Sequence, residues 1–302
     1  MNIIEVKNLR KEYGQTVAVD DVSFTVQEGE IFGIVGPNGA GKTTTIESII
    51  GLRKPDGGSV RVLGLDPQTE SSRLGNRIGS QLQLAALPDR MRAWEALDLY
   101  ASFYERTVPW EPLLAQWGLG DKRNTEFGNL SGGQKQRLFI ALALLNDPEI
   151  VFLDELTTGL DPHARRATWD LVRAIREQGK TVVLITHYMD EIEALADRVA
   201  IVDQGRVIAL DSPANLIAAL EAEITIQFTL SNGHQIEFLR EVEGVTAVRR
   251  QDHQIAVNGH GPLLANVVMA LAQHNIAPND LRQHQANLEE VFLSLTGRAI
   301  RA

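Results

Sequence analysis

The chain has 302 residues, 44% hydrophobic and 23% charged, which excludes a disordered chain and suffices for one large domain or two smaller ones. It contains no cysteine, which excludes disulfides, thiolate metal sites and thiol catalysis and fits a reducing compartment. The net charge of −10 argues against nucleic acid as a partner, because affinity there comes mainly from Lys and Arg meeting phosphates.

Residues 3–10 alternate apolar and polar as a half-buried strand does, and residues 17–26 repeat the pattern after a turn at 12–15. The start lacks a signal-peptide core. The longest clean apolar run, residues 138–145, is far short of the ~20 residues a membrane span needs. The expectation is a soluble, cytoplasmic chain whose membrane role, if any, runs through a partner. Tyr13 lies between the two strands; it can stack on a base ring or simply close a strand end.

Residues 31–35 read as a buried strand, residues 36–43 (GPNGAGKT) as a glycine-rich turn, and Ile46, Ile49 and Ile50 recur at helical spacing. Strand, G-x-x-x-x-G-K-T, helix is the phosphate-binding loop in its required context. Gly36, Gly39 and Gly41 let the backbone curl so that N–H groups point inward, and the helix adds its positive end. Lys42 is placed to meet the β- and γ-phosphates of ATP and the Thr43 hydroxyl to hold Mg²⁺; Pro37, Asn38, Ala40 and Thr44 complete the cradle.

A turn at 54–58 leads into a short strand, and residues 78–83 look like a strand running into a loop. Residues 84–120 have helical spacing, with Trp94, Leu97, Leu99, Tyr100, Phe103 and Tyr104 on one apolar, aromatic face. That face suits core, or the docking of a partner helix.

In NLSGGQKQRLFIALALLNDP, residues 129–148, Ser131 caps a helix whose apolar positions are Leu138, Ala141, Leu142 and Leu145. Capping needs only the serine and leaves Gly132, Gly133 and Gln134 unexplained; a second anion-binding helix start explains them. One phosphate loop and a second phosphate-facing site suggest two chains sharing nucleotide. The buried strand at 150–153 then delivers Asp154, able to organise Mg²⁺ through water, and Glu155, able to polarise an attacking water. TTGLDP, residues 157–162, is a turn carrying Asp161, followed by a helix over 164–178 and a strand over 180–186. His187, at that strand's end, can reach the γ-phosphate or the water, or be an ordinary loop histidine.

Beyond residue 213 the chain reads as a small α+β domain, residues 221–302: a hairpin of 223–230 and 234–239 about an SNG turn, strands at 246–250 and 254–258, and helices at 262–274 and 288–295. His234, His253, His260, His274 and His284 lie here at spacings that match no metal motif, so solvated surface is the expectation. The domain shows no chemistry, and a dimer contact or regulatory role is expected of it.

GPNGAGKTT, LSGGQ, VFLDE, GLD and TH, in that order over about residues 3–211, resemble the nucleotide-binding subunits of ATP-binding-cassette (ABC) transporters. The resemblance implies an α/β P-loop NTPase cassette over residues 1–220: a mixed sheet core, an antiparallel β subdomain and a helical subdomain at about 84–146. It implies that Tyr13 stacks on adenine and that Gln83 touches Mg²⁺ and signals to the membrane subunit. Ser131, Gly132, Gly133 and Gln134 would close on ATP held by a second ATP-binding subunit, most simply in a homodimer. Asp154 would organise Mg²⁺, Glu155 act as catalytic base, Asp161 cross the dimer interface, and His187 serve as the switch histidine. The segment after Gln83 becomes the docking region for separate transmembrane permease subunits, which places the chain peripherally at the cytoplasmic face of the cell membrane.

The short cassette and the ending ANLEEVFLSLTGR, residues 286–298, resemble the daunorubicin-resistance kind of drug exporter, implying an ATPase that powers export of drug, lipid or other hydrophobic cargo. Two departures stand out: Leu156 replaces the family's usual Pro, and DRMRAWEAL replaces the commoner leucine-threonine-valine pattern. The alternative is a cassette ATPase acting on nucleic acid or ribosomes. Such proteins typically carry two cassettes, zinc motifs or a long coiled coil, and this sequence has none.

Overall fold

The computed structural model describes residues 1–81, 86–220, 223–230, 235–284 and 286–297, so Gln83 and the SNG turn lie outside the described residues. The chain divides into two compact units, one of Met1–Leu216 and one of Ile217–Ser294.

The first unit begins with two long strands, β1 (Asn2–Tyr13) and β2 (Thr16–Gln27). The turn between them is tighter than the sequence suggests, because β1 continues through Tyr13 and positive-φ Gly14 reverses the chain. The buried strand β3 (Ile31–Val35) then feeds α1 (Lys42–Ile49). β4 (Gly57–Val62), α2 (Ser71–Gly75) and β5 (Ile78–Gln81) follow.

The segment expected to be one helical stretch forms two helices, α3 (Ala93–Ala101) and α4 (Trp110–Gln116). Pro109, at the N-cap of α4, has no N–H for a continuous helix to use and biases the residue before it away from helical geometry. The single aromatic face is corrected with it: Leu97 is fully buried, whereas Leu99 and Phe103 are exposed. Three-residue 3₁₀ turns at Gly120–Lys122 and Phe127–Asn129 lead into α5 (Gly132–Leu144). The remainder alternates strand and helix: β6 (Ile150–Asp154), α6 (Pro162–Glu177), β7 (Thr181–Thr186), α7 (Met189–Leu195), β8 (Arg198–Asp203), β9 (Arg206–Asp211) and α8 (Pro213–Ala219).

Two sheets result. β2-β1-β4 is antiparallel throughout. The other sheet has the order β5-β6-β7-β3-β8-β9, parallel except for the β8–β9 edge. Every residue of β3, β6 and β7 is buried, as both faces of a parallel sheet demand. One apolar cluster joins the sheets through Val19, Phe24, Phe32, Ile34, Ile46 and Phe152. Ligands of such open sheets bind at the carboxyl ends of the strands, where β3, β6 and β7 release the phosphate loop, Asp154 and His187.

The second unit is a four-stranded antiparallel sheet, ordered β11-β12-β10-β13, of β10 (Ile224–Thr229), β11 (Val245–Gln251), β12 (Gln254–Gly259) and β13 (Asn279–His284). Ile226, Phe228, Ile255 and Val257 pack with Leu263, Val267 and Leu271 of α9 (Leu263–Gln273). α10 (Leu288–Thr296) follows. The hairpin expectation is corrected: residues Glu237–Glu241 form a 3₁₀ turn, and β10 pairs with β12 and β13 instead. β13 (NDLRQH) is polar on nearly every residue, so it carries no strand signature.

Candidate nucleotide site

β3 ends at Val35 and the chain turns under Gly36, where a Cβ would overlap the Val202 carbonyl. Gly41, at φ +97°, is the N-cap of α1, and a Cβ there would overlap the Ala18 carbonyl. Having no side chain, Gly41 leaves the first turn of α1 uncapped. The first N–H groups of a helix have no intrahelical partner, so this start presents donors to an anion. Ala40 is buried, its N–H donating to Pro37 O at 3.2 Å, while Asn38, Gly39 and Thr43 are exposed and Thr44 half-buried.

Lys42 is buried, and its Nζ donates to Gly36 O at 2.7 Å and Pro37 O at 3.0 Å. Burial pushes its pKa down, against the pull of the Glu155 and Asp154 carboxylates. The ammonium is therefore held inside the cradle next to the acidic pair. Tyr13 is exposed at the end of β1, with the Arg53 guanidinium 5.2 Å and the Lys11 ammonium 5.6 Å from its ring centre.

Asp154 closes β6, is 2% exposed, and its Oδ2 is buried with no hydrogen-bond partner. Burial and the neighbouring Glu155 push its carboxyl up to about 6, with Lys42 pulling the other way. Glu155 has φ +51°, outside the strand conformation, and its N–H still donates to Ile185 O at 2.8 Å. That bond extends the parallel β6–β7 register, in which Asp154 faces Ile185. His187 is thereby brought beside Glu155, its Nδ1 3.2 Å from Glu155 Oε1. Leu156, in place of the family's Pro, is fully buried. An orphaned buried carboxylate oxygen on a residue coupled to the loop lysine suits a hard cation such as Mg²⁺, which takes oxygen ligands.

Ser131 is the N-cap of α5. Its hydroxyl accepts from Gln134 N at 3.3 Å, and Gln134 Oε1 accepts from Ser131 N at 2.9 Å. This capping box gives Gln134 a local task, which corrects the reading that capping needs only the serine. Gly132 and Gly133 stay unexplained locally: added Cβ atoms would meet nothing closer than Leu160 Cδ2 at 3.8 Å. Asp161 caps α6, accepting from His163 N and Ala164 N at 2.9 Å each, and these backbone bonds hold its carboxyl low.

Two residues escaped the sequence reading. Gln81, buried at the end of β5, accepts from Gln136 Nε2 of α5 at 3.3 Å, tying the sheet edge to the helix that Ser131 caps. Glu191, in an acidic helix start, is fully buried. Its apolar neighbour Ile192 and the 3.6-residue repeat give the only hint that it faces inward.

The family described as "ABC transporter" matches residues 19–158. Over 310 residues the chain is 36% identical to Nod factor export ATP-binding protein I of Cupriavidus pinatubonensis, covering 99% of this chain and 92% of that protein. It is 36% identical over 308 residues to the daunorubicin/doxorubicin resistance ATP-binding protein DrrA of Streptomyces peucetius, covering 97% and 92%. Among solved structures, a dimeric post-hydrolysis ATP-binding cassette bound to ADP and Pi superposes with a TM-score of 0.62 at 28% identity, covering 69% of this chain and 98% of that one.

Proposed function

The chain belongs to the ATP-binding subunits of ABC transporters and hydrolyses ATP to power export, and from that premise we propose which of its residues do so, and in what assembly. The observation that carries the proposal is the convergence of buried Lys42, orphaned Asp154 and the Glu155–His187 contact at the uncapped start of α1.

The N–H groups of the loop from Gly36 to Thr44 and the Lys42 ammonium bind the phosphates, with Tyr13 against the base. Lys42 exchanges its two carbonyl acceptors for phosphate oxygens. Thr43, Asp154 and Gln83 would hold Mg²⁺, which would offset the phosphate charge. Glu155 accepts the proton of the water that attacks the γ-phosphorus as the bond to the ADP oxygen breaks. His187 holds the Glu155 carboxylate in place through Nδ1.

The site is half of a pair. Gly132 and Gly133 are small for a reason outside their own chain, and the start of α5 suits the γ-phosphate of ATP bound by a second copy. Asp161 stands at the same junction. The dimeric arrangement of the solved cassette supports this reading.

Separate membrane subunits receive the motion peripherally, at the cytoplasmic face of the membrane. Beside the end of β5 lies a cavity of about 510 Å³ lined by Ile50, Leu52, Ser80, Phe103 and Tyr104, with Leu52 and Phe103 exposed. An apolar helix end of the permease fits there, next to the strand that leads to Gln83. The cargo is a drug, lipid or other hydrophobic compound, a reading that the export and drug-resistance roles in the relatives' names support.

The test is ATP-dependent assembly. Light scattering of the Glu155→Gln variant should show a monomer without nucleotide and a lasting dimer with ATP. A monomer at saturating ATP would remove the shared-site reading.

A further inference from the structure

Behind the Glu155–His187 pair lies a sealed polar cluster with no task in the scheme above. Glu191, in the first turn of α7, is fully buried, and neither carboxylate oxygen makes a hydrogen bond of standard geometry. The groups facing it are Thr186, Thr157 and Trp169. Thr157 Oγ1 and Trp169 Nε1 are likewise buried and unbonded. Thr186 Oγ1 accepts from Tyr188 N at 3.0 Å, which leaves its hydroxyl hydrogen free to donate. One carboxylate therefore sits among three donors, all withdrawn from water, and each of them favours its charged form.

The chain positions of the donors give the cluster its meaning. Thr157 is on the turn between Glu155 and Asp161, Thr186 immediately precedes His187, and Trp169 lies on α6, which Asp161 caps. The segments that carry Glu155, Asp161 and His187 thus share one buried pocket. α7 packs on α6, β3 and β7, so its carboxylate has a fixed mount. An unsatisfied buried polar group is costly, so the four groups hold one another in place.

We propose that Glu191 is a positioning residue for hydrolysis. The Thr157 and Thr186 hydroxyls and the Trp169 indole N–H gather on the Glu191 carboxylate and so tie the turn after Glu155 and the strand end before His187 to one buried anchor. This fixes the separation of Glu155 from His187. The charge balance is consistent: burial pushes the Glu191 carboxyl up to about 7 and its neighbour Asp190 adds to that, while the three donors favour the charged form. The inference rests on the roles assigned to Glu155 and His187.

The test uses the purified full chain. Glu191→Gln and Thr157→Val keep shape and alter the cluster. Each should lower kcat by about 10- to 100-fold, the scale of a small misplacement of reacting groups. KM for ATP and the affinity for a fluorescent ATP analogue should stay within about threefold, since the phosphate loop is untouched. The double variant should be no slower than the slower single one, because both remove the same latch. Wild-type kcat in Glu191→Gln, losses that multiply in the double variant, or kcat falling only as the folded fraction falls would each overturn the proposal. Glu155→Gln is the control. If it keeps full turnover, the site reading itself fails; if it is inactive while Glu191→Gln is normal, only this inference does.

Discussion

His187 Nδ1 lies 3.2 Å from Glu155 Oε1, both side chains about one-tenth exposed, at the carboxyl ends of adjacent parallel strands. On the proposed role of Glu155 as general base, its carboxylate needs a fixed direction, and the imidazole is placed to supply it. His187→Ala should lower kcat by about 10²- to 10⁴-fold, the range of a misplaced general base, while nucleotide binding persists. Steady-state kinetics with a separate binding assay decides this; loss of binding alone would assign His187 to the nucleotide instead.

Lys42 is buried and donates to two loop carbonyls. Lys42→Ala removes both the phosphate contact and those bonds. ATP affinity should fall at least about tenfold, and unfolding free energy should fall by about 1–3 kcal/mol, because Gly36 O and Pro37 O lose their partner. Calorimetric titration and denaturant unfolding measure the two losses separately.

The shared site predicts complementation. Ser131→Arg fills the open start of α5 and costs about 1 kcal/mol of cap; with Lys42→Ala, neither homodimer has a working site. Mixing the two chains builds heterodimers in which one site keeps both intact halves. ATPase activity should return on mixing, and its absence in a mixture shown to contain heterodimers would count against sharing.

The buried Glu191 carboxyl gives a stability signature with a definite sign. Burial raises its folded value to about 7, above the ordinary glutamate range, so the folded state binds the proton more tightly. Its contribution is fully present below about pH 4.5 and is lost as pH rises through about 7. Wild type should therefore lose up to about 3 kcal/mol relative to Glu191→Gln between about pH 4.5 and pH 8. Parallel stability curves for the two proteins across that window would contradict the burial.

The exposed Leu52 and Phe103 beside the end of β5 predict a partner phenotype without a folding phenotype. Phe103→Asp should leave the melting temperature within a few degrees of wild type, as surface substitutions do. It should lose the membrane chain that copurifies from native membranes. Undiminished copurification would move the docking region elsewhere.

The sequence by itself determined the elements whose form is local. The glycine pattern and Lys42 specify the phosphate loop, Ser131 specifies the start of α5, and unbroken apolar runs specify β3, β6 and β7. Spacing within a few residues sets those, so they were legible without contacts. The break at Pro109 was also written in the chain, but helical periodicity on either side of it concealed the two helices. β13 was illegible because its polar residues carry no alternation and its pairing with β10 comes from a strand far away in sequence. Only the tertiary structure decided the site's chemistry. The parallel register of β6 and β7 sets Glu155 against His187, the packing of α7 buries Glu191, and the closure of the core leaves Asp154 Oδ2 without a partner. Composition and spacing set what each segment becomes, while burial and long-range pairing set which charged groups are stripped of water, and on that their reactivity depends.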